Sequence, residues 1–322
     1  MERSASTRPS ELRLECKIRA QYADVFANGA AAHAKGRWLL DPNNPWRRAP
    51  APFALPDDPR GVEGLPGKVQ TLLSKRLIKK SSLPCASPVT FVPQGIDDSG
   101  KPKIRMVIDC RALNKIAVKD RFPLPHPEDL IAKPHGMKCF TKLDFWSGFH
   151  QHCCHPEIIV KTVFIGPEAL YEWLVISFGG ANASSEFMRL MADLHFEDVD
   201  KGCCIVFMDD ILVLSRTAQD NEHHVRAVLD AIKEVGFRLH GSKRSFGRSS
   251  APFLGLNIDG DDPEGASIRM IHEKIKAIAD WPYPGSPKEM RSFVGLSGVY
   301  RKFVPGFAKV SAPLMELMYV EQ

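Results

Sequence analysis

The stretch Cys203-Cys204-Ile205-Val206-Phe207-Met208-Asp209-Asp210-Ile211-Leu212-Val213-Leu214-Ser215 constrains this chain more than any other. Two adjacent carboxylates sit between short apolar runs rich in β-branched residues. Runs of that length and composition are strands, so the acids fall at the tip of a β-hairpin. Carboxylates held against an apolar sheet are costly unless something positive offsets them, and a divalent cation with hard oxygen ligands is a natural partner. Aspartate is also a favoured turn former with no function attached. On this segment alone both readings stand. The decision rests on whether the chain also supplies a third carboxylate, a cradle for a polyphosphate and a surface for nucleic acid.

Lys142-Leu143-Asp144-Phe145 reads as a short strand in which Asp144 points away from the face shared by Leu143 and Phe145. It is the third acid the hairpin asks for, although a lone Asp in a strand has no function by itself. Residues 68–121 hold twelve Lys/Arg against four Asp, a local excess of +8 in a chain whose net charge is +5. A charge run is ordinarily a solvated surface. Here the positives bracket two strand-like segments, Pro88 to Pro93 and Ile104 to Asp109, joined by the turn Asp97-Asp98-Ser99-Gly100. Such a basic hairpin suits a polyphosphate, with Arg105 placed for bidentate contact.

The 322 residues carry 44% hydrophobic and 25% charged side chains, a globular rather than a disordered composition. Residues 1–65 read as an N-terminal extension or linker, with a short helix around Glu11 to Ala27 and a proline-dense tether from Asp41 to Pro66. The eight cysteines include two adjacent pairs, a poor disulfide framework, and no signal-like segment opens the chain. No apolar run reaches the ~20 residues a bilayer span requires. These features predict a soluble intracellular protein, cytoplasmic or nuclear, with no membrane partner.

Helices are expected from Asn182 to Val199, capped by Asn182 or Ser184, from about Asp220 to a C-cap at Gly236, and near Ile271 to Trp281. Ser286-Pro287-Lys288-Glu289 forms a capping box that starts another.

In their order these pieces resemble the reverse transcriptase of gypsy-type long-terminal-repeat retrotransposons, over about Gly67 to Leu317. The matching stretches include Arg105-Met106-Val107-Ile108-Asp109, Phe122-Pro123-Leu124-Pro125, Lys142-Leu143-Asp144, Ser147-Gly148-Phe149-His150-Gln151, Phe178-Gly179, Phe207-Met208-Asp209-Asp210 and Phe253-Leu254-Gly255. The resemblance implies an α+β right-hand polymerase with an antiparallel palm sheet, fingers and a partial thumb or connection. It implies fingers and palm over 66–258 and thumb or start of connection over 259–322, with no ribonuclease H. The chain stops soon after Leu317 and has no protease signature before residue 60, so it reads as a piece of a polyprotein.

The implied activity is RNA-directed DNA synthesis, adding dNTPs to the primer of an RNA or DNA template-primer. Asp144, Asp209 and Asp210 would be the catalytic triad, holding two Mg²⁺ ions (or Mn²⁺) with the backbone carbonyl of Phe145 as a further ligand. Lys101, Lys103, Arg105 and Phe178 would line the incoming nucleotide, and the Phe149 ring would exclude a 2′-hydroxyl. Phe207, Met208, Lys243, Phe253, Leu254 and Gly255 would face primer and template. Oligomeric state is not implied.

Some positions depart from the pattern. Phe207 replaces a Tyr, Ser184 a Pro and Met188 a Gln, Glu186 adds an acid, and His152-Cys153-Cys154-His155 occupy a strand that is ordinarily aliphatic or basic. A zinc site built from the latter is disfavoured, since consecutive strand residues face opposite ways. Two rivals remain: a catalytically silent remnant that only binds nucleic acid, and a viral RNA-dependent RNA polymerase, which usually has Gly before the Asp pair. The whole reading requires Asp144 to fold beside the Phe207–Asp210 tip.

Overall fold

In the computed structural model the described residues are 17–18, 20–26, 65–96, 102–194, 202–241, 244–262 and 266–318. The basic half of the chain begins with helix α1 (Leu65–Ser74) and strand β1 (Ile78–Ser81). The hairpin β2 (Val89–Ile96) and β3 (Pro102–Ile108) follows, with Val89 opposite Ile108 and Val92 opposite Arg105. Helices α2 (Arg111–Ile116) and α3 (Pro127–Ala132) lead into strand β4 (Cys139–Asp144). A 3-10 turn at Gly148–Gln151, helix α4 (Pro156–Ile159) and strands β5 (Phe164–Ile165) and β6 (Leu170–Trp173) return to pair with β1 in the order β1-β6-β5. Leu65, Val69, Ile78, Ile108, Phe164 and Trp173 form the core of this fingers-like half.

The second half opens with helix α5 (Ala183–Asp193), hairpin strands β7 (Cys204–Phe207) and β8 (Asp210–Ser215), helix α6 (Ala218–Val235) and strand β9 (Ser245–Arg248). With β4 they build an antiparallel sheet in the order β7-β8-β4-β9. Strand period two explains its two cores. Leu143, Ile211 and Val213 pack with Phe187, Val225 and Leu229 of α5 and α6 on one face. On the other, Ile205, Leu212 and Leu214 pack with Phe140, Leu130 and Phe253. Ile211, Leu212, Val213 and Leu214 are all essentially buried, each contributing about 1.5–3 kcal/mol. A slip of one residue would exchange the faces and drag Asp210 inward, so burial fixes the register.

α6 is tied to this sheet by a buried polar chain. Thr141 Oγ1 donates to Asn221 Oδ1 at 2.6 Å, Asn221 Nδ2 donates to Ser215 Oγ at 3.1 Å, and the Gly247 N–H donates back to Thr141 Oγ1 at 2.9 Å. Both Thr141 and Asn221 are fully buried.

Beyond the sheet lie strands β10 (Ser250–Phe253), β11 (Leu256–Asp259) and β12 (Ser267–Met270), then helices α7 (His272–Ala279), α8 (Pro287–Gly298) and α9 (Phe307–Leu317). Leu254 and Gly255 take φ of 51° and 76°, the two positive values that a two-residue type I′ hairpin loop requires.

Several expectations change. Residues 17–26 are no bystander to the body. Ile18, Tyr22 and Val25 are buried in the core under α6, and the Tyr22 hydroxyl donates to Asp230 at 2.8 Å. The rest of the proposed 11–27 helix, the tether up to residue 64 and the 97–100 turn lie outside the described residues, and the tether's last two residues, Leu65 and Pro66, instead open α1. The expected boundary at 258 cuts through β11, whose partners on either side form one sheet. His152–His155 is not a continuous strand, because only Cys153 bridges, to Val175, and Pro156 then starts α4 with His155 as its N-cap. The expected caps Gly236, at φ 82°, and Ser286 hold for α6 and α8, but α6 begins before the expected Asp220, at Ala218 with Thr217 as its N-cap. The Glu289 carboxylate, however, accepts from the Gly285 N–H rather than from that of Ser286. Asn182 precedes α5 without a capping bond, its side chain being spent on the Val118 carbonyl and the Asp120 N–H.

Candidate active site

β4 and β8 run antiparallel with Asp144 directly opposite Asp210, and the Phe145 N–H donates to the Asp209 carbonyl at 3.0 Å. Directly paired residues have Cβ atoms ~4.5–5.5 Å apart, so the three acids converge at one end of the sheet. The sheet register brings Asp144 to the hairpin tip from a distant part of the sequence. On its other side the Asp144 carbonyl accepts from the His240 N–H at 2.7 Å. Gln151 reinforces the loop after β4, donating to the Trp146 and Arg238 carbonyls and accepting from the Arg238 N–H at 2.7 Å.

The tip is a tight one. Met208 sits at φ 52°, a left-handed conformation costing roughly 1–2 kcal/mol for a non-glycine residue. Its N–H is directed at the Met188 sulfur, 3.1 Å away. After β4, Ser147 is also left-handed, at φ 51°, and brings Gly148 under the tip. A β-carbon on Gly148 would lie 2.5 Å from Asp209 Oδ1, 3.0 Å from the Phe187 ring and 3.2 Å from Phe145 Cβ. Only glycine fits between that carboxylate and the core.

Lys142, two residues before Asp144 and hence on the same face of β4, places its ammonium 2.9 Å from Asp210 Oδ1. It offsets part of the acidic charge. Three carboxylates and nearby carbonyls are a hard-oxygen donor set suited to Mg²⁺. The backbone convergence fits such an ion. Among the described residues no group of three or more His, Cys, Asp or Glu side chains is arranged to hold a metal.

Beside the acids lies an aromatic cluster. Phe149, nearly buried, meets Phe178 edge-on at 5.1 Å and Phe187 at 5.0 Å. The exposed Arg105 guanidinium lies over the Phe178 ring, 4.7 Å from its centroid. His150 stacks on Trp173 at 5.1 Å, and burial, reinforced by Arg105 and Lys75, pushes its pKa down to about 4. Arg105, Phe149 and Phe178 are thus brought together, Phe149 directly following the Gly148 that lies against Asp209. Phe207 and Met208 are half-buried at the tip, while Phe253 is buried beside the Leu254–Gly255 loop. Lys101, Lys243 and the Lys103 side chain lie outside the described residues.

Sequence reasoning missed Gly148, Lys142 and Gln151 as supports of the site. Lys142 carried a signal, its even spacing from Asp144. Gly148 carried none beyond being a glycine.

The family model described as "Reverse transcriptase (RNA-dependent DNA polymerase)" matches residues 93–258, more than half of the chain. The chain belongs to the reverse transcriptase family. Its similarity extends to the Pol polyproteins of Drosophila melanogaster transposons: 36% identity over 247 residues with transposon 297, and 33% over 252 residues with transposon gypsy. These matches take in 77% and 78% of this reverse transcriptase chain, and 23% and 24% of the relatives. The chain therefore spans about a quarter of the curated relatives it matches. Its fold is similar to that of part of the foamy viral protease–reverse transcriptase. One such structure, with an RNA/DNA hybrid, matches at TM-score 0.84 and 22% identity over 98% of this chain and 41% of that one. Another, with double-stranded DNA, matches at TM-score 0.83 and 21% identity over 98% and 54%. The palm and fingers anticipated from the motifs are the fold observed.

Proposed function

We propose that this chain is the polymerase portion of a gypsy-type retrotransposon reverse transcriptase, extending a primer with dNTPs on an RNA or DNA template. The observation that carries the reading is the register that sets Asp144 against Asp210 at the Asp209 turn. Asp144, Asp209 and Asp210, with the Phe145 carbonyl, would hold the divalent ions. The chemistry that a bound pair of Mg²⁺ ions supplies is electrostatic stabilisation of the attacking 3′-oxygen and of the leaving pyrophosphate.

The chain's own groups position the reactants. Arg105, braced on Phe178, carries a fixed positive charge where a triphosphate would lie. Phe149, wedged between Phe178 and Phe187, presents a rigid ring against the sugar, so a 2′-hydroxyl meets steric exclusion. Lys101 and Lys103 are assigned to the same triphosphate, Lys243 and Phe253–Gly255 to the primer. The left-handed Met208 holds the hairpin tip toward the primer terminus, with Phe207 behind it.

Primer extension on oligo(dT)-primed poly(rA) tests this reading. Product from the unaltered chain and none from Asp209→Asn is expected. No product from either, with salt-dependent template binding retained, would instead mark a binding remnant. Faster incorporation of rNTPs than dNTPs would refute the role given to Phe149.

A further inference from the structure

Behind the nucleotide-facing cluster the fold leaves a cavity of about 60 Å³. One wall is Ile108 and Leu113 of the fingers, the next is the Cys153, Cys154 and Ile158 segment, and the third is Ile176 and Ala183 beside α5. The lining is mainly apolar. Burial holds the lining His152 neutral, its pKa pushed down to about 4, and raises the Cys153 and Cys154 thiols. Glu186 is the one carboxylate among the lining residues.

Each wall is a direct chain continuation of a residue assigned to the nucleotide. Ile108 lies three residues after Arg105 on β3, His152 three after Phe149, and Ser177 immediately before Phe178. The walls are also latched together. Asn114 Nδ2 donates to the Gly179 carbonyl at 2.9 Å, and Asn114 Oδ1 accepts from the Ala181 N–H at 2.8 Å. Gly179, at φ 106°, lies so close to β3 that a β-carbon would stand 2.7 Å from the Ile108 carbonyl. The cavity walls are thus joined through the chain to Arg105, Phe149 and Phe178.

We propose that this cavity is a binding site for a small, uncharged, mainly apolar molecule, whose occupancy shifts the nucleotide-facing residues. The coupling, though not the binding, rests on the polymerase reading above. Cys153, half-exposed and carrying no disulfide, gives a native handle at its wall.

The probe is N-ethylmaleimide. The Cys153 sulfur, having released its proton to water, adds to one carbon of the maleimide double bond. The C–S bond forms as the π bond breaks, and the neighbouring carbon takes a proton from water. With adducts mapped by peptide mass spectrometry, alkylation of Cys153 should saturate with reagent concentration, whereas alkylation of Cys85 should rise linearly. N-ethylsuccinimide, the unreactive saturated analogue, should slow the first and not the second. A maleimide with a carboxylate tail should react at Cys153 at least tenfold more slowly than N-ethylmaleimide, and comparably at Cys85. Ile158→Phe, which fills the cavity while keeping the thiol, should abolish saturation. A linear rate at Cys153, indifferent to tail charge and to N-ethylsuccinimide, overturns the site.

For the coupling, the Cys153 adduct should lower the rate of primer extension about tenfold without competing with dNTP, and Cys153→Ser should be active and insensitive. Unchanged extension by fully adducted protein overturns it. Absent extension in the unmodified protein counts against the polymerase assignment instead, and the saturation result at Cys153 stands apart from it.

Discussion

Gly148→Ala is the sharpest test of how the acidic site is supported. The added β-carbon would lie 2.5 Å from Asp209 Oδ1, with the Phe187 and Phe145 side chains closing the other directions at 3.0 and 3.2 Å. Ordinary van der Waals contact begins at 3.4 Å, so something must give by about 0.9 Å. The two phenylalanines are packed in the core, whereas the carboxylate is the end of a short side chain, so Asp209 moves. A displacement of about 1 Å at a reacting centre costs on the order of 10²-fold in rate. Overpacking of the core adds about 1–3 kcal/mol of destabilisation. Steady-state primer extension should show kcat reduced on the order of 100-fold with template binding retained, and thermal unfolding should show a folded protein at assay temperature. Full activity in Gly148→Ala would refute the close approach. An activity loss that merely follows the unfolded fraction would refute the link to Asp209.

Lys142→Met removes the ammonium from Asp210; with both groups partly exposed the pair is worth ~1 kcal/mol, so the half-saturating Mg²⁺ in primer extension should fall about fivefold, and an unchanged or higher requirement counts against the counter-charge role. Asn221→Ala strands the Thr141 hydroxyl and should cost about 1–3 kcal/mol in urea unfolding at nearly unchanged kcat. His150 and His152 are held to about 4 by burial, below the ordinary 6.5, so the unfolded chain takes up protons between these values while the folded one does not. Stability is therefore complete above pH 6.5 and falls toward pH 4 by about 1.4 kcal/mol per pH unit for each histidine. Denaturant titrations of His150→Phe/His152→Val should show that slope flattened; an identical slope refutes the assignment.

The hairpin tip, the third acid and the basic strand pair were legible because strands write their faces into every second residue. Asp144 between Leu143 and Phe145 says which way the acid points, and β8 says which faces are buried. What was hidden depends on contacts between distant segments. Nothing local to Gly148 reveals that Asp209 rests on it. Ile18, Tyr22 and Val25 look like part of a loose leader until α6 is laid over them. The His152–His155 run looked extended by likeness to a family strand, yet His155-Pro156 was a readable helix start, since proline suits the first helical turn. Asn182 had the right chemistry for a cap and was drawn off by the Val118 and Asp120 backbone.

The seating of residues 17–26 has a bearing on how the molecule is made. The Leu239 N–H donates to the Val25 carbonyl at 2.9 Å, and Tyr22 reaches Asp230. This segment is thus seated only after residues 225–239 have been made, since its apolar side chains wait for them. A chain interrupted before that point would display an uncovered greasy strip, which is what chaperones and proteases seize. Any shortened form for laboratory expression that begins at residue 65 should meet the same fate.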